Sequence, residues 1–389
     1  MDRNVVGTEA NKLVSQLMLS FARDTGLDPP QDRPRRYLWT DAFAVCNYLG
    51  DHHMSRSAQA LELAERLIGQ VYCTLGRHRE DDRREGWISG LSEDSGGEHP
   101  TVRGLRIGKQ LLERLPHELP DPHLEWEQDG QYYHYLTKWM HALAQTGRMM
   151  HKRKYIEQAI ELARVAHRAF VYASPFGGLR MYWKMSIDLS RPLVTSMGQH
   201  DPLDGYLTYL EIEDASRAFG PGGALDEEIM EMKAVLDQSY FVTDDPLGIG
   251  GLLSDTYRAA QLLERGTLDD DALLESLARA SVVSLEALAQ GHMLDYPAEA
   301  RLAFRELGLS VGLRSIGPLQ ASLETLEGKD GRLAEMIDTL SQYVPLADQI
   351  ESTWVGKGNR ESCTWVDHKD INAVMLATSL EPNGFLILG

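Results

Sequence analysis

Apolar residues recur every three or four positions along most of the chain. The segments SAQALELAERLIGQVYCTLG (57–76), YIEQAIELARVAHRAFVYA (155–173) and DDALLESLARASVVSLEALAQ (270–290) all have this spacing. A period of 3.6 residues places the apolar side chains on one helix face, so the pattern predicts amphipathic helices. Alternating, strand-like stretches are scarce, and MYWKMSIDL (181–189) is the best candidate. The fold class that follows is all-α.

A second class of predicted helix is more apolar and opens on small or polar residues. Its six members are WTDAFAVCNYLG, GQYYHYLTKWMHALAQTG, DPLDGYLTYLEI, GIGGLLSDTYRAAQLL, PAEARLAFRELGLSVGL and WVDHKDINAVMLATSL. Between consecutive members there is room for at least one amphipathic helix. The chain therefore alternates inner helices with outer ones, as repeat architectures do. Two members share the pattern W-x-D, at 39–41 and 365–367.

Six inner helices alternating with outer ones resemble the (α/α)6 toroid of the six-hairpin glycosidase-like superfamily, from roughly residue 8 to the end. The resemblance implies a single toroid domain over residues 1–389, with parallel inner helices and an active site at one end of the ring. An open stack of helices, as in solenoids or cyclases, is the structural alternative.

Two long segments interrupt the helical pattern and are expected to be inserted loops. The first, residues 76–104, is polar, and a segment of this length in a compact domain is usually functional or disordered. The second, residues 174–205, is richer in aromatic residues. We expect it to be ordered, because Tyr182 and Trp183 would otherwise be left in water.

Composition excludes several classes of partner. The 389 residues include 39 Lys and Arg against 58 Asp and Glu, a net charge of −19, which disfavours nucleic acids and anionic membranes. No stretch of eighteen apolar residues predicts a membrane span, and the first 26 residues lack the pattern of a signal peptide. Three widely spaced cysteines fit a reducing compartment, so we expect a cytoplasmic protein of undetermined oligomeric state.

Carboxylates at the starts of inner helices are the candidate catalytic groups. Four aspartates lie at or near such starts: Asp41, Asp201, Asp204 and Asp367. The resemblance to the toroid implies that these helix starts surround one opening of the ring. Hydrolysis of a glycosidic bond typically needs one carboxylic acid and one carboxylate, so the set predicts a glycoside hydrolase. Helix capping is the alternative role for each of these acids.

The stretch HDPLDG (200–205) combines a helix start with a histidine. Pro202 fits a first helical turn, Asp201 is a possible cap, and Gly198 and Gly205 allow close backbone approach. Those roles do not explain His200 beside two acids. We therefore include His200 among the candidate catalytic residues, with a hydrogen-bonded loop role as the alternative.

The candidate substrate-binding residues are aromatic, basic or histidine side chains. They are Tyr37, Trp39, Tyr133, His134, Trp183, Lys184, Arg191, Trp365 and His368. The aromatic rings are of the kind that stacks on sugars, and Lys184 and Arg191 are candidate partners for a substrate carboxylate or phosphate. Unsaturated glucuronyl hydrolases of the toroid superfamily suggest, by analogy, that the substrate is an acid sugar such as a uronate.

Two alternatives to a hydrolase stay open. Sugar 2-epimerases with the toroid fold move a proton with paired histidines, which implies roles for His134, His200 and His368. A non-catalytic helical scaffold would bind a protein or peptide and would scatter its acids and aromatics over outer helices. No motif predicts a metal site or a cofactor. The expected ligand is a sugar or oligosaccharide.

Overall fold

The computed structural model describes residues 3–325 and 331–389. The chain packs as two compact units. The central unit is Thr25–Ser239 together with Gly389, and the terminal unit is Met1–Asp24 together with Tyr240–Leu388. That the two form a single domain over 1–389 stays a prediction.

The central unit contains helices and short strands in alternation. In chain order they are α2 (Leu38–Ser55), α3 (Ala58–Leu75), α4 (Glu93–Glu98), α5 (Pro122–Glu127), β1 (Gln131–Tyr132), α6 (Tyr133–Met150), α7 (Arg153–Phe170), β2 (Val171–Ala173), β3 (Leu179–Met181), β4 (Lys184–Met185), β5 (Pro192–Val194), α8 (Asp201–Ser216) and α9 (Asp226–Leu236).

Three helical hairpins build this unit. Helix α6 packs between α2 and α8, and each of these three helices also packs against the helix that follows it, α3, α7 or α9. Every residue of α8 except Asp214 is buried, whereas α7 buries one face at the spacing of residues 155, 156, 159, 162, 163 and 166. The predicted distinction between inner and outer helices is confirmed here.

The terminal unit is also helical. Its elements are α1 (Arg3–Asp24), α10 (Pro246–Glu264), α11 (Asp271–Gln290), α12 (Ala303–Arg314), α13 (Ile316–Thr325), α14 (Gly331–Ser341), α15 (Pro345–Val355), α16 (Cys363–Asp367), α17 (Lys369–Leu380) and α18 (Asn383–Leu386). Helix α12 packs between α10 and α17, while α11, α15 and α1 cover α10, α12 and α17 respectively.

The all-α class is confirmed, and the six predicted inner helices correspond to α2, α6, α8, α10, α12 and α17. Each unit contains three inner helices with their outer partners, so the predicted alternation of inner and outer helices holds within each unit. None of the helices in the described residues is long and apolar enough to cross a membrane.

Three predicted inner helices begin later than their sequence pattern suggests. Residues 131–132 form β1, so α6 starts at Tyr133. Residues 298–300 form a separate 3-10 turn, so α12 starts at Ala303. The predicted helix 365–380 is divided at His368, whose φ of −120° and ψ of 31° are not helical. The Ser362 hydroxyl caps the short helix α16 by accepting from the backbone N–H of Trp365.

The second inserted segment is ordered, as predicted, and carries the strands β3, β4 and β5 of the central unit. Strand β4 lies between β1 and β5 in an antiparallel sheet, with Gln131 opposite Met185 and Tyr132 opposite Lys184. The predicted strand 181–189 is divided between β3, which pairs with β2, and β4. This sheet fixes the position of Trp183 beside the start of α6.

Candidate functional site

The stretch HDPLDG forms the first turn of α8. His200 is the N-cap residue, and Asp201 and Pro202 are the first two helical residues. The expectation that Asp201 caps the helix is wrong, because His200 holds the N-cap position and Asp201 is already helical. A Cβ at Gly198 would lie 2.5 Å from the Asp201 carboxyl, so the glycine makes room for that group.

Asp201 is a buried carboxyl with one unsatisfied oxygen. The residue is 6% exposed, and its Oδ2 has no hydrogen-bond partner. Burial raises the pKa of Asp201 to about 8, and the nearby charge of Asp204 acts in the same direction. At neutral pH this carboxyl is therefore mostly protonated.

Asp204 lies one turn further along α8 in a different environment. Its Oδ1 accepts a hydrogen bond of 2.8 Å from Lys138 Nζ, and its Oδ2 accepts one from the hydroxyl of Thr137. The two helices α6 and α8 thus hold Asp204 as an ion-paired carboxylate. A Cβ at Gly205 would lie 2.3 Å from the hydroxyl of Tyr133, so only glycine allows this close packing.

His134, on the first turn of α6, lies next to Asp201. Its Nδ1 is 3.7 Å from Asp201 Oδ1 and accepts a hydrogen bond of 3.2 Å from the indole N–H of Trp183. Burial lowers the pKa of His134 to about 4, so the imidazole is neutral at pH 7 and carries its proton on Nε2. Nε2 has no hydrogen-bond partner within the described part of the chain.

Aromatic rings line one side of His134 and define what we call the aromatic wall: Tyr37, Trp126, Tyr132, Tyr135 and Trp183. Trp183 stacks on His134 with ring centroids 6.1 Å apart, and Trp126 packs edge-on against Trp183 at 5.1 Å. The hydroxyls of Tyr37 and Tyr135 are 2.6 Å apart. Burial raises the pKa of Tyr37 to about 12, which keeps this hydroxyl a donor and acceptor at neutral pH.

Three residues of the aromatic wall were not among the predicted site residues. Tyr132 and Tyr135 flank His134 in the sequence YYHY, and this run of aromatic residues was a usable signal. Trp126, on the short helix α5, is separated from it by a turn and gave no periodic signal. It is 49% exposed, which is unusual for tryptophan away from a binding surface.

The two predicted anion-binding residues make internal contacts. Lys184 is fully buried, and its Nζ donates to the carbonyls of Glu125 and Gln128 at 2.6 and 2.8 Å and lies 3.0 Å from Glu125 Oε1. The guanidinium of Arg191 donates to the carbonyl of Arg114. Lys184 is thus a core residue below the aromatic wall, where it lies 5.3 Å from the centroid of Tyr132.

Three other predicted site residues are packed in the core of the central unit. Asp41 is 1% exposed and accepts hydrogen bonds from Arg36 at 3.1 Å and from the backbone N–H of Tyr37 at 2.9 Å. Trp39 packs on Phe43 with centroids 4.4 Å apart. Tyr133 is 0% exposed and donates to the hydroxyl of Tyr209 at 2.8 Å. The hydrogen bonds to Asp41 favour a structural role for this residue.

The remaining predicted residues belong to the terminal unit. Trp365 is buried and stacks on Trp354 with centroids 5.7 Å apart. Asp367 ends α16 and His368 precedes α17, both exposed, and His368 contacts the ring of Phe304. Within the described residues, no group of three or more His, Cys, Asp or Glu side chains is arranged to hold a metal ion.

Comparisons with known proteins give structural neighbours only. No family model matches the chain, and no curated protein matches it. A sugar epimerase from a ruminal bacterium is 9% identical, with a TM-score of 0.46 over 87% of this chain and 86% of that one. Cellobiose 2-epimerase from Spirochaeta thermophila is 12% identical, with a TM-score of 0.46 over 95% and 97%. A likeness at this level carries no conclusion about this chain.

Proposed function

We propose that this protein is a carbohydrate-active enzyme that transfers a proton at the carbon beside a sugar carbonyl, as sugar epimerases and isomerases do. The observation that supports this proposal is the pair His134 and Asp201. A neutral imidazole with a free Nε2–H lies beside a buried carboxyl whose pKa is about 8. Groups with pKa values pushed apart in this way are typical of acid–base sites.

Asp201 and His134 have different roles in the proposed reaction. Ionised Asp201 removes the proton from the carbon, and the electron pair moves onto the carbonyl oxygen. His134 Nε2–H donates a hydrogen bond to that oxygen as its negative charge develops. In an isomerisation, Asp201 returns the proton to the former carbonyl carbon while the neighbouring hydroxyl proton passes to the former carbonyl oxygen. In an epimerisation, the enediolate turns over and Asp201 returns the proton to the opposite face of the first carbon. The raised pKa of Asp201 makes its ionised form a stronger base than an ordinary carboxylate.

Neighbouring side chains maintain the separate roles of Asp201 and His134. The indole of Trp183 fixes the His134 tautomer by donating to Nδ1. Lys138 neutralises Asp204, so that carboxylate does not compete as the proton carrier. The aromatic wall offers ring faces and the paired hydroxyls of Tyr37 and Tyr135 to a sugar.

A glycoside hydrolase is the second candidate. Protonated Asp201 and ion-paired Asp204, one turn apart on α8, supply the acid and the carboxylate that hydrolysis needs. Against this, both oxygens of Asp204 are already engaged, by Lys138 and Thr137. That leaves Asp204 poorly placed to activate water or attack an anomeric carbon.

Deuterium exchange separates the two reactions. In D2O, a proton-transfer enzyme replaces the hydrogen beside the carbonyl of a reducing sugar with deuterium, which proton NMR detects, and a hydrolase does not. We expect exchange with mono- or disaccharides, reduced at least 100-fold in His134→Gln and Asp201→Asn. Release of new reducing ends without exchange would favour the hydrolase. Neither exchange nor hydrolysis across a panel of sugars would favour the binding scaffold.

The pH profile gives a second discrimination. If ionised Asp201 is the base, kcat/KM rises with pH through about 8, the pKa of Asp201. If protonated Asp201 is the acid of a hydrolase, kcat/KM falls through the same pH. The opposite slopes make the assignment independent of the identity of the sugar.

A further inference from the structure

One lysine beside the aromatic wall has no anionic partner. Lys109 is half-buried, and its Nζ lies 5.6 Å from the ring centroid of Tyr37. Its backbone carbonyl accepts a hydrogen bond from Arg79 Nη1, at 2.5 Å. Its ammonium group makes no ion pair with any residue that the structure describes.

Four other cations of the same unit are neutralised internally. Arg36 pairs with Asp41, Arg106 with Asp129, and Lys184 with Glu125. Lys138 pairs with Asp204. Glu127 is exposed and acts electrostatically on Tyr37, yet it forms no ion pair with Lys109.

The backbone holds Lys109 in a fixed place. Gly108 donates its N–H to Asp129 Oδ1 at 3.1 Å, and its φ of +95° suits glycine. A Cβ at Gly108 would lie 2.3 Å from the carbonyl oxygen of Arg36, so this segment is packed directly against the start of α2. The backbone from which the Lys109 side chain extends is therefore held in place by the fold.

Two aromatic rings lie between Lys109 and His134 of the proposed catalytic pair. Tyr37, below the ammonium, meets Tyr135 with centroids 5.5 Å apart, and Tyr135 meets His134 at 4.8 Å. A sugar that contacts His134 and extends along Tyr135 and Tyr37 would bring a substituent near Lys109. A lysine ammonium acts as a point charge for carboxylate or phosphate groups.

We propose that Lys109 binds an anionic substituent, a carboxylate or a phosphate, on the sugar substrate. The proposal rests on the proposed function and names its substrate class: sugar acids or sugar phosphates. It replaces Lys184 and Arg191, whose side chains make internal contacts, as the anion-binding group.

Matched sugars and matched variants test the proposal. The probes are glucuronate, glucose 6-phosphate and glucose, with a glucuronosyl-glucose disaccharide and its neutral counterpart. Binding is measured by calorimetry and turnover by deuterium exchange. The variants are Lys109→Met and Lys109→Arg. Arg168→Met is the control, because it removes the same charge from α7, where Arg168 lines a separate surface depression of about 410 Å³.

We expect the wild-type protein and the Arg168→Met variant to bind an anionic probe at least tenfold more tightly than its neutral counterpart. Lys109→Met should lose this preference without weakening the neutral sugar, and Lys109→Arg should retain most of it. A preference for the sugar acid or for the phosphate supports the proposal and identifies the anion.

Two outcomes would overturn the proposal: equal binding of anionic and neutral probes, or a preference that survives Lys109→Met. Failure of the proposed function gives a different pattern. Exchange of neutral sugars without anion preference contradicts only the role of Lys109. Lys109-dependent binding without exchange contradicts only the proton-transfer reaction.

Discussion

Replacing the buried Asp201 with asparagine should stabilise the protein, and increasingly so as the pH rises. The carboxyl is 6% exposed with an unsatisfied oxygen, and its pKa is about 8 in the folded chain against an ordinary value of 3.8. Because the folded pKa is raised, the wild-type contribution is most favourable below pH 3.8. It is lost as the pH rises towards 8, since the unfolded chain ionises freely and the folded one does not.

The structure sets the size of this effect. Between pH 4 and 8 the free energy of unfolding of Asp201→Asn should gain on that of the wild type by about 1.4 kcal/mol per pH unit. The accumulated difference is on the order of 5 kcal/mol at pH 8, where the wild-type carboxyl must ionise in a buried site. Asparagine has nearly the same shape and no charge, so packing changes little.

Urea unfolding at pH 4, 5.5, 7 and 8.5, followed by circular dichroism, measures the difference. Asp204→Asn is the matched control, because it removes a carboxylate that is ion-paired with Lys138 and should therefore destabilise the protein at pH 7. A difference between wild type and Asp201→Asn that stays constant across this pH range would refute the reasoning. The same variant should lose exchange activity, so stability and activity change in opposite directions.

Three further substitutions test the packing around the site. Lys138→Met leaves the buried Asp204 carboxylate unpaired and should cost about 3–5 kcal/mol, and adding Asp204→Asn should recover much of it, as denaturant titration of the double variant would show. Gly205→Ala places a methyl group against the Tyr133 hydroxyl and should cost about 1–3 kcal/mol; a melting temperature unchanged by the substitution, or not partly restored by Tyr133→Phe, would contradict this. Ser57→Ala removes the hydroxyl that caps α3 and should cost about 1 kcal/mol in the same titration, without changing sugar binding.

The sequence alone determined the helical class and the identity of the inner helices. A helix such as α8 is buried around nearly its whole circumference, so its apolar residues are not confined to one face, and the sequence reveals this without coordinates. The aromatic-rich insertion was likewise identifiable as ordered, because its rings need burial. Helix starts at Ala303 and Lys369 were missed, since local turns and caps decide them.

Only the tertiary structure decided which polar residues share an environment. Asp41 and Asp201 both begin inner helices, yet one is paired with Arg36 while the other has an unsatisfied oxygen. Lys184 and Lys109 are both lysines near aromatic residues, yet only Lys184 is enclosed by carbonyls and Glu125. The charge state and availability of a side chain depend on partners distant in sequence, and hydrophobic periodicity carries no information about them. The sequence therefore identifies the helices, and packing between them decides the chemistry.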